Sequence, residues 1–104
     1  MEEDYEDYVW IASMEDEVLK ERLLKEGFRK IPIKSIFPYL INVGITAYKI
    51  DEKKLPQKMK EIILERIAEK NNITIKEAKE MLDKSGWFVR AKAIGTKNIH
   101  KYID

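Results

Sequence analysis

The sequence has no cysteine and only one histidine, His100, among its 104 residues. Without cysteine the chain can form neither a disulfide nor a thiolate metal site, and it has no thiol nucleophile. A single histidine lacks a second imidazole with which to hold a metal ion. The four glycines, Gly27, Gly44, Gly86 and Gly95, are too scattered for a phosphate-binding loop. We therefore expect a protein that is not an enzyme and that uses no cofactor, metal or small-molecule substrate.

Long apolar runs are missing as well. The most apolar stretch, residues 35–48, contains Pro38, Asn42 and Thr46 and is shorter than the roughly 20 residues that a membrane span needs. We expect this stretch to be buried in a core and predict no membrane partner. A small domain without disulfides is expected in the cytoplasm. Sixteen lysines and fifteen isoleucines against one glutamine are typical of a thermophile.

The length and composition indicate a single globular domain over residues 1–104, with 44% hydrophobic and 38% charged residues. The net charge of +1 is unevenly distributed, because the first seventeen residues contain eight acidic and no basic side chains. This asymmetry favours a polyanionic partner for the basic remainder. We expect the first seventeen residues to be a mobile acidic arm that competes with that partner, with residues 1–7 flexible. Alternatively, the acidic run is merely solvated.

The hydrophobic pattern predicts seven elements in the order β, α, β, β, α, α, β. The predicted strands are 7–13, 28–34, 39–50 and 87–94, and the predicted helices are 13–26, 56–70 and 74–84. This order is close to a split βαβ, ferredoxin-like α+β fold with an extra helix before the last strand. The alternative is an all-α bundle, because the apolar residues of 36–48 also fall at helical spacing behind Ser35.

Capping signals mark several helix ends. Ser13 and Asp16 have the spacing of a capping box at the start of the first helix, and Thr74 and Glu77 have it at the start of the third. Gly86 stands where a glycine commonly ends a helix. These signals predict that the third helix stops just before the last strand.

The candidate functional site is the last predicted strand. Period-2 alternation places Phe88, Arg90, Lys92 and Ile94 on one face and Trp87, Val89, Ala91 and Ala93 on the other. The second face resembles a core surface, whereas the first combines an aromatic ring for base stacking with cations for phosphates. Further predicted contacts are Lys97 and Lys101, together with Arg29, Lys30 and Lys34 if strand 28–34 is a neighbour.

The sequence thus predicts a nucleic-acid-binding protein with a basic and aromatic sheet surface. The same pattern also occurs in an ordinary edge strand that arginine and lysine protect against aggregation. A protein-interaction or structural module without nucleic-acid binding is the alternative function.

One form of that alternative comes from the stretch "IAEKNNITIKEAKEMLDKSGWFVRAKAI", residues 67–94. It resembles a three-helix ubiquitin-associated module, with an N-capped helix that ends in glycine and a last short helix that ends in Ala-Ile. It departs from that module at Trp87 and Phe88, where an acidic or amide N-cap is usual. The resemblance covers about a quarter of the chain and implies that residues 87–94 are helical in a protein-binding adaptor.

Aromatic side chains are numerous for so short a chain. Ten are present, and Tyr5, Tyr8, Trp10 and Tyr102 lie near the termini. Exposed aromatic patches usually mark an interface, so we expect a homodimer. The other interpretation is that these rings simply complete the core.

Overall fold

The computed structural model describes residues 7–34, 39–42 and 44–92, with only the backbone given for 39–42. The strands are β1 (Tyr8–Trp10), β2 (Lys30–Pro32), β3 (Tyr39–Asn42), β4 (Ile45–Lys49) and β5 (Phe88–Lys92), and the helices are α1 (Glu17–Lys25), α2 (Gln57–Asn71) and α3 (Ile75–Ser85). Short 3₁₀ turns lie at Ile11–Ser13 and Glu52–Lys54. The fold class is α+β, as predicted, and the all-α alternative is wrong. Within these ranges, every helix is too short or too polar to cross a membrane.

The strands form two antiparallel sheets, β1–β2 and β3–β4–β5. The ferredoxin-like detail is not confirmed. In a split βαβ unit the strands on either side of the first helix are parallel and separated by a third strand, whereas β1 and β2 are direct antiparallel neighbours. The prediction had no means of choosing partners, because strand pairing depends on residues far apart in the sequence.

Two isolated bridges join the sheets into a ring. Ile33 pairs with Ile50 at the end of β4, and Met14 pairs with Ala91 on the outer edge of β5. All four side chains are buried. The hydrophobic core lies inside this ring and against the helices; its largest fully buried side chains are Tyr48, Ile11, Leu23, Ile31, Met59, Val9 and Pro32.

The predicted strand 39–50 is a hairpin of two strands. β3 and β4 turn back on each other between Asn42 and Ile45, which are paired. Gly44 has a φ of +86°, a backbone conformation that glycine adopts without strain. Asparagine and glycine two residues apart are typical of turns, and this local signal could have placed the hairpin from the sequence.

Helix α1 begins at Asp16 rather than at the predicted Ser13. The carboxylate of Asp16 accepts hydrogen bonds from the amides of Val18 and Leu19 at 3.1 and 3.2 Å, which satisfies two of the free donors of the first turn. Ser13 lies in a 3₁₀ turn, and Met14 is extended because it pairs with Ala91. The prediction of a mobile arm over seventeen residues is therefore wrong for residues 7–17, which are folded; residues 1–6 lie outside the described part.

Both predicted signals around α3 are confirmed. The hydroxyl of Thr74 accepts from the Glu77 amide at 3.0 Å, and the Glu77 carboxylate accepts from the Thr74 amide at 2.9 Å. Gly86 ends the helix with a φ of +101°. Trp87 then packs back onto the last turn, where its indole N–H donates to the carboxylate of Asp83 at 3.3 Å. This contact ties the end of α3 to the start of β5.

An ion-pair network joins α1 to α2. Nε of Arg66 lies 2.9 Å from Asp16, and Arg22 makes two hydrogen bonds with Glu69 at 2.9 and 3.0 Å. Partial burial opposes ionisation of Asp16, but hydrogen bonds from Arg66 and from the Leu19 amide outweigh it and hold the pKa of Asp16 below its usual value. The Arg22 guanidinium likewise lowers the pKa of Glu69.

Candidate nucleic-acid interface

Strand β5 has the alternating exposure that the sequence predicts. Phe88, Arg90 and Lys92 are exposed, whereas Val89 and Ala91 are buried. Phe88 is 40% exposed, which is unusual for a ring that could have joined the core. Because Phe88–Lys92 is a strand, the ubiquitin-associated alternative, which needs a helix there, is wrong. The prediction for Ala93, Ile94, Lys97 and Lys101 lies outside the described residues.

Strand β4 adds a cation that sequence reasoning missed. β4 and β5 are antiparallel, and their register places Lys49 opposite Phe88 and Ala47 opposite Arg90. Directly opposite residues of an antiparallel pair share one face of the sheet. Lys49, at the end of β4, therefore lies beside the exposed phenyl ring. Its position depends on pairing between residues that are far apart in the chain, which no local pattern reveals.

Lys34 extends the same face from the other side of β4. Its amide donates to the carbonyl of Lys49 at 3.0 Å. Ile33 and Ile50, the adjacent bridged pair, point into the core. Since side chains alternate along a strand, Lys34 and Lys49 both point outward. We call Lys34, Lys49, Phe88, Arg90 and Lys92 the basic face.

Opposed cations are unfavourable for the fold. Directly opposite side chains on paired strands have Cβ atoms about 5 Å apart, and like charges there destabilise a sheet. Among the described residues neither Lys34 nor Lys49 forms an ion pair. The stability of the fold therefore does not explain why Lys34 and Lys49 lie next to each other.

The only acid of the described residues that is paired with the basic face is Glu15. Its carboxylate lies 3.0 Å from Nε of Arg90, and its amide donates to the carbonyl of Arg90 at 2.9 Å. The two side chains are 42% and 48% exposed, so their attraction is screened by water and worth less than about 1 kcal/mol. Breaking this ion pair therefore costs the fold little.

The same backbone contact bears on the competing edge-strand interpretation. The outer edge of β5 is not open along its length, because Met14 pairs with Ala91 and Glu15 bonds to Arg90. Protection of an open edge therefore does not account for Arg90. The exposed row of Phe88, Arg90 and Lys92 along β5 therefore needs another explanation.

The ring of Phe88 is positioned by the glycine that ends α3. A methyl group built on Gly86 would come within 2.8 Å of Cε2 of Phe88, closer than real carbon atoms approach. The ring therefore lies directly over the backbone of Gly86. This contact fixes one side of Phe88 and explains why it stands on the surface in a defined place.

Arg29 and Lys30 lie apart from the basic face. β2 pairs with β1 and not with β5, so the predicted strand 28–34 is not a neighbour of the last strand. Only Lys34 reaches the basic face, because it bonds to Lys49 at the end of β4. Lys30 lies opposite Trp10 in the register, and its ammonium is 4.5 Å from the centre of the Tyr8 ring. Arg29 is exposed. These two cations thus lie beside Trp10 and Ile11, outside the basic face.

No candidate metal-binding cluster is found in the part of the chain that the structure covers. Residues 7–34, 39–42 and 44–92 hold no group of three or more His, Asp or Glu side chains that could bind a metal ion. His100 lies outside these ranges. Three surface depressions among the described residues lie along α1, at the segment from Leu24 to Arg29 and at the α2–α3 turn.

Comparison with known proteins gives no family for this chain. No protein-family model, no curated protein and no solved structure matches it.

Proposed function

We propose that this protein binds nucleic acid through the basic face and has no catalytic activity. The observation that carries the proposal is the opposition of Lys34 and Lys49 beside the exposed ring of Phe88. The fold gains no ion pair from these two neighbouring lysines within the described residues, whereas a chain of phosphates would neutralise both.

The chemistry of the basic face suits such a polymer. Phe88 offers a ring on which a base can stack. Lys49 lies opposite it on β4, Arg90 and Lys92 follow it along β5, and Lys34 lies next to Lys49 on the other side of β4. Lysine and arginine contacts to phosphates supply affinity without sequence specificity. We therefore propose a binder with strong salt dependence and weak sequence preference.

A titration at two salt concentrations tests the proposal. Labelled DNA and RNA oligonucleotides would be followed by fluorescence anisotropy with the full chain. We expect binding at low salt that weakens as salt rises. The double variant Arg90→Ala with Lys92→Ala should lower the slope of log affinity against log salt by about 1.4 for a single strand, since each lost phosphate contact removes about 0.7.

The matched control removes two cations elsewhere. Lys58 on α2 and Lys76 on α3 are exposed and form no ion pair within the described part. Changing both to alanine alters the net charge equally and should leave the slope unchanged. Undetectable binding at low salt, or an equal effect of the two double variants, would refute the proposal.

The alternative of a protein-interaction module makes a different prediction. If a protein were the only partner, the cations of the basic face would have no effect on oligonucleotide affinity at any salt concentration. The same titration therefore separates the two functions.

A further inference from the structure

Among the residues whose side chains the structure describes, Trp10 is the exposed aromatic residue that the basic face does not include. It lies on β1 with 42% of its surface exposed, whereas Trp87 is only 4% exposed. Its neighbour Val9 is completely buried, so Trp10 belongs to the outward side of β1. An indole has a large apolar surface that usually finds a partner in a fold or an interface.

The surroundings of Trp10 hold it in place beside a cation. The Tyr8 ring meets it edge to face, with centroids 5.0 Å apart and planes at 80°. Lys30 is its cross-strand partner and keeps its ammonium 4.5 Å from the centre of the Tyr8 ring. Arg29 is anchored through its carbonyl, which accepts from the Ile11 amide at 2.9 Å.

We propose that Trp10, with Arg29 and Lys30, is a second stacking site of the same nucleic-acid surface, and that its ligand is an unpaired base of a single strand. This inference rests on the function proposed above and names its substrate class. An indole with a lysine as its cross-strand partner and an arginine next along the chain is suited to a base and its adjoining phosphates. The faces of bases in a duplex are covered by their neighbours, so only a single strand can offer one.

The two stacking sites are linked along the outside of the ring. Trp10, Ala12 and Glu15 are all exposed, while Ile11 and Met14, between them, are buried. Glu15 in turn contacts Arg90 on the basic face. A single strand that stacks on Phe88 can therefore continue past Glu15 to Trp10. Affinity should accordingly rise with oligonucleotide length until both sites are filled.

Tryptophan fluorescence reports directly on this site. The probes are oligothymidylates of about 4 and about 12 nucleotides, which bracket common single-strand site sizes, and a duplex of the longer length. We expect the longer single strand to quench the emission of the full chain more than the duplex does. The quench should vanish in Trp10→Phe, where only the buried Trp87 emits.

Affinity supplies the second measurement. Trp10→Ala should weaken binding of the longer strand by about fivefold to a hundredfold, the usual loss for one stacked base. Trp10→Ala should also remove most of the advantage of the longer strand over the shorter one. The control Ile75→Ala truncates a residue that is 50% exposed on α3 and should leave both quantities unchanged.

The outcomes distinguish this inference from the proposed function. If labelled oligonucleotides bind with the expected salt dependence but Trp10→Ala changes nothing, the second site is wrong and the basic face stands. Equal quenching by duplex and single strand also overturns it. Conversion of a dimer to a monomer by Trp10→Ala in sedimentation, without a change in affinity, would assign Trp10 to self-association instead. No binding at low salt overturns both proposals.

Discussion

The carboxylate of Glu15 lies 3.0 Å from Nε of Arg90, so the chain supplies its own anion to the basic face. Glu15 follows the 3₁₀ turn after β1 and is held there by its backbone bond to Arg90. The acidic competitor that we propose is therefore this one ordered side chain rather than a mobile arm of seventeen residues.

Replacing Glu15 by glutamine should tighten nucleic-acid binding. The change frees Arg90 and removes a negative charge from the path of the phosphates, and because exposed ion pairs contribute about 0.2–1 kcal/mol, the gain should be up to about fivefold. Glu80→Gln makes the same charge change on exposed α3 and should have a smaller effect. An anisotropy titration at low salt measures both, and equal gains would show that only net charge matters.

Removing the opposed lysines should separate affinity from stability. Lys34→Ala with Lys49→Ala removes two like charges on neighbouring residues, so the free energy of unfolding should be unchanged or higher by up to about 1 kcal/mol. The same variant should bind nucleic acid less tightly, with a salt slope lower by about 1.4 for a single strand. Urea denaturation and the titration test the two halves. A loss of stability together with affinity would mean that the lysines serve the fold.

Substituting Gly86 should disturb both α3 and Phe88. Its φ of +101° and ψ of 154° lie in a region that is almost confined to glycine, so Gly86→Ala should cost about 1–3 kcal/mol from the backbone alone. The added methyl group would also collide with the Phe88 ring. Gly27→Ala is the matched control, because Gly27 has a φ of +94° but nothing within 4 Å of the added group.

The collision itself can be isolated with a double-mutant cycle. Phe88→Ala should make Gly86→Ala less costly in urea denaturation, since the ring that the methyl group meets is gone. If the changes in the free energy of unfolding are strictly additive, the Phe88 ring does not lie where a methyl group on Gly86 would meet it.

Loss of the Asp16 carboxylate should weaken the junction of α1 with α2. Asp16→Ala removes an N-cap and the partner of Arg66, and it should lower the free energy of unfolding by about 1–2 kcal/mol at neutral pH. Asp16→Asn keeps the capping oxygen and should cost less.

The same residue should contribute to acid sensitivity. The folded-state pKa of Asp16 is below its usual value, so its contribution is fully present above the unfolded pKa of about 3.9 and is lost as pH falls through the lower, folded value. Urea denaturation from pH 6 down to about 2 should therefore show a shallower acid decline for Asp16→Asn than for the unaltered chain. Parallel curves would contradict this role.

Local signals predicted the helical part of this fold well. The capping box of Thr74 and Glu77, the glycine that ends α3 and the alternation along β5 each depend on residues only a few positions apart. Their physical causes, hydrogen bonds to free amides and the two-residue period of a strand, act within the segment. The hairpin around Gly44 also had a local signal, Asn42 and Gly44, but the prediction treated residues 39–50 as one strand.

Pairing between distant segments explains what the sequence could not predict. Ser13 has the pattern of an N-cap, but Met14 is held extended by Ala91, so the helix starts later at Asp16. Lys34 and Lys49 are neighbours only because the chain after β2 meets the end of β4. Which strands meet is decided by the whole core, so neither the sheet order nor the full membership of the basic face follows from local patterns.

The bridge between Met14 and Ala91 also has a consequence for how the chain folds. It joins residues from opposite ends of the described chain, and ordering the whole intervening chain costs entropy before the contact is made. Domains with many such distant pairings fold slowly. We therefore expect the ring to close late, after α2 and α3 have formed. In a ribosome-bound chain that stops before β5, Met14 would have no strand with which to pair.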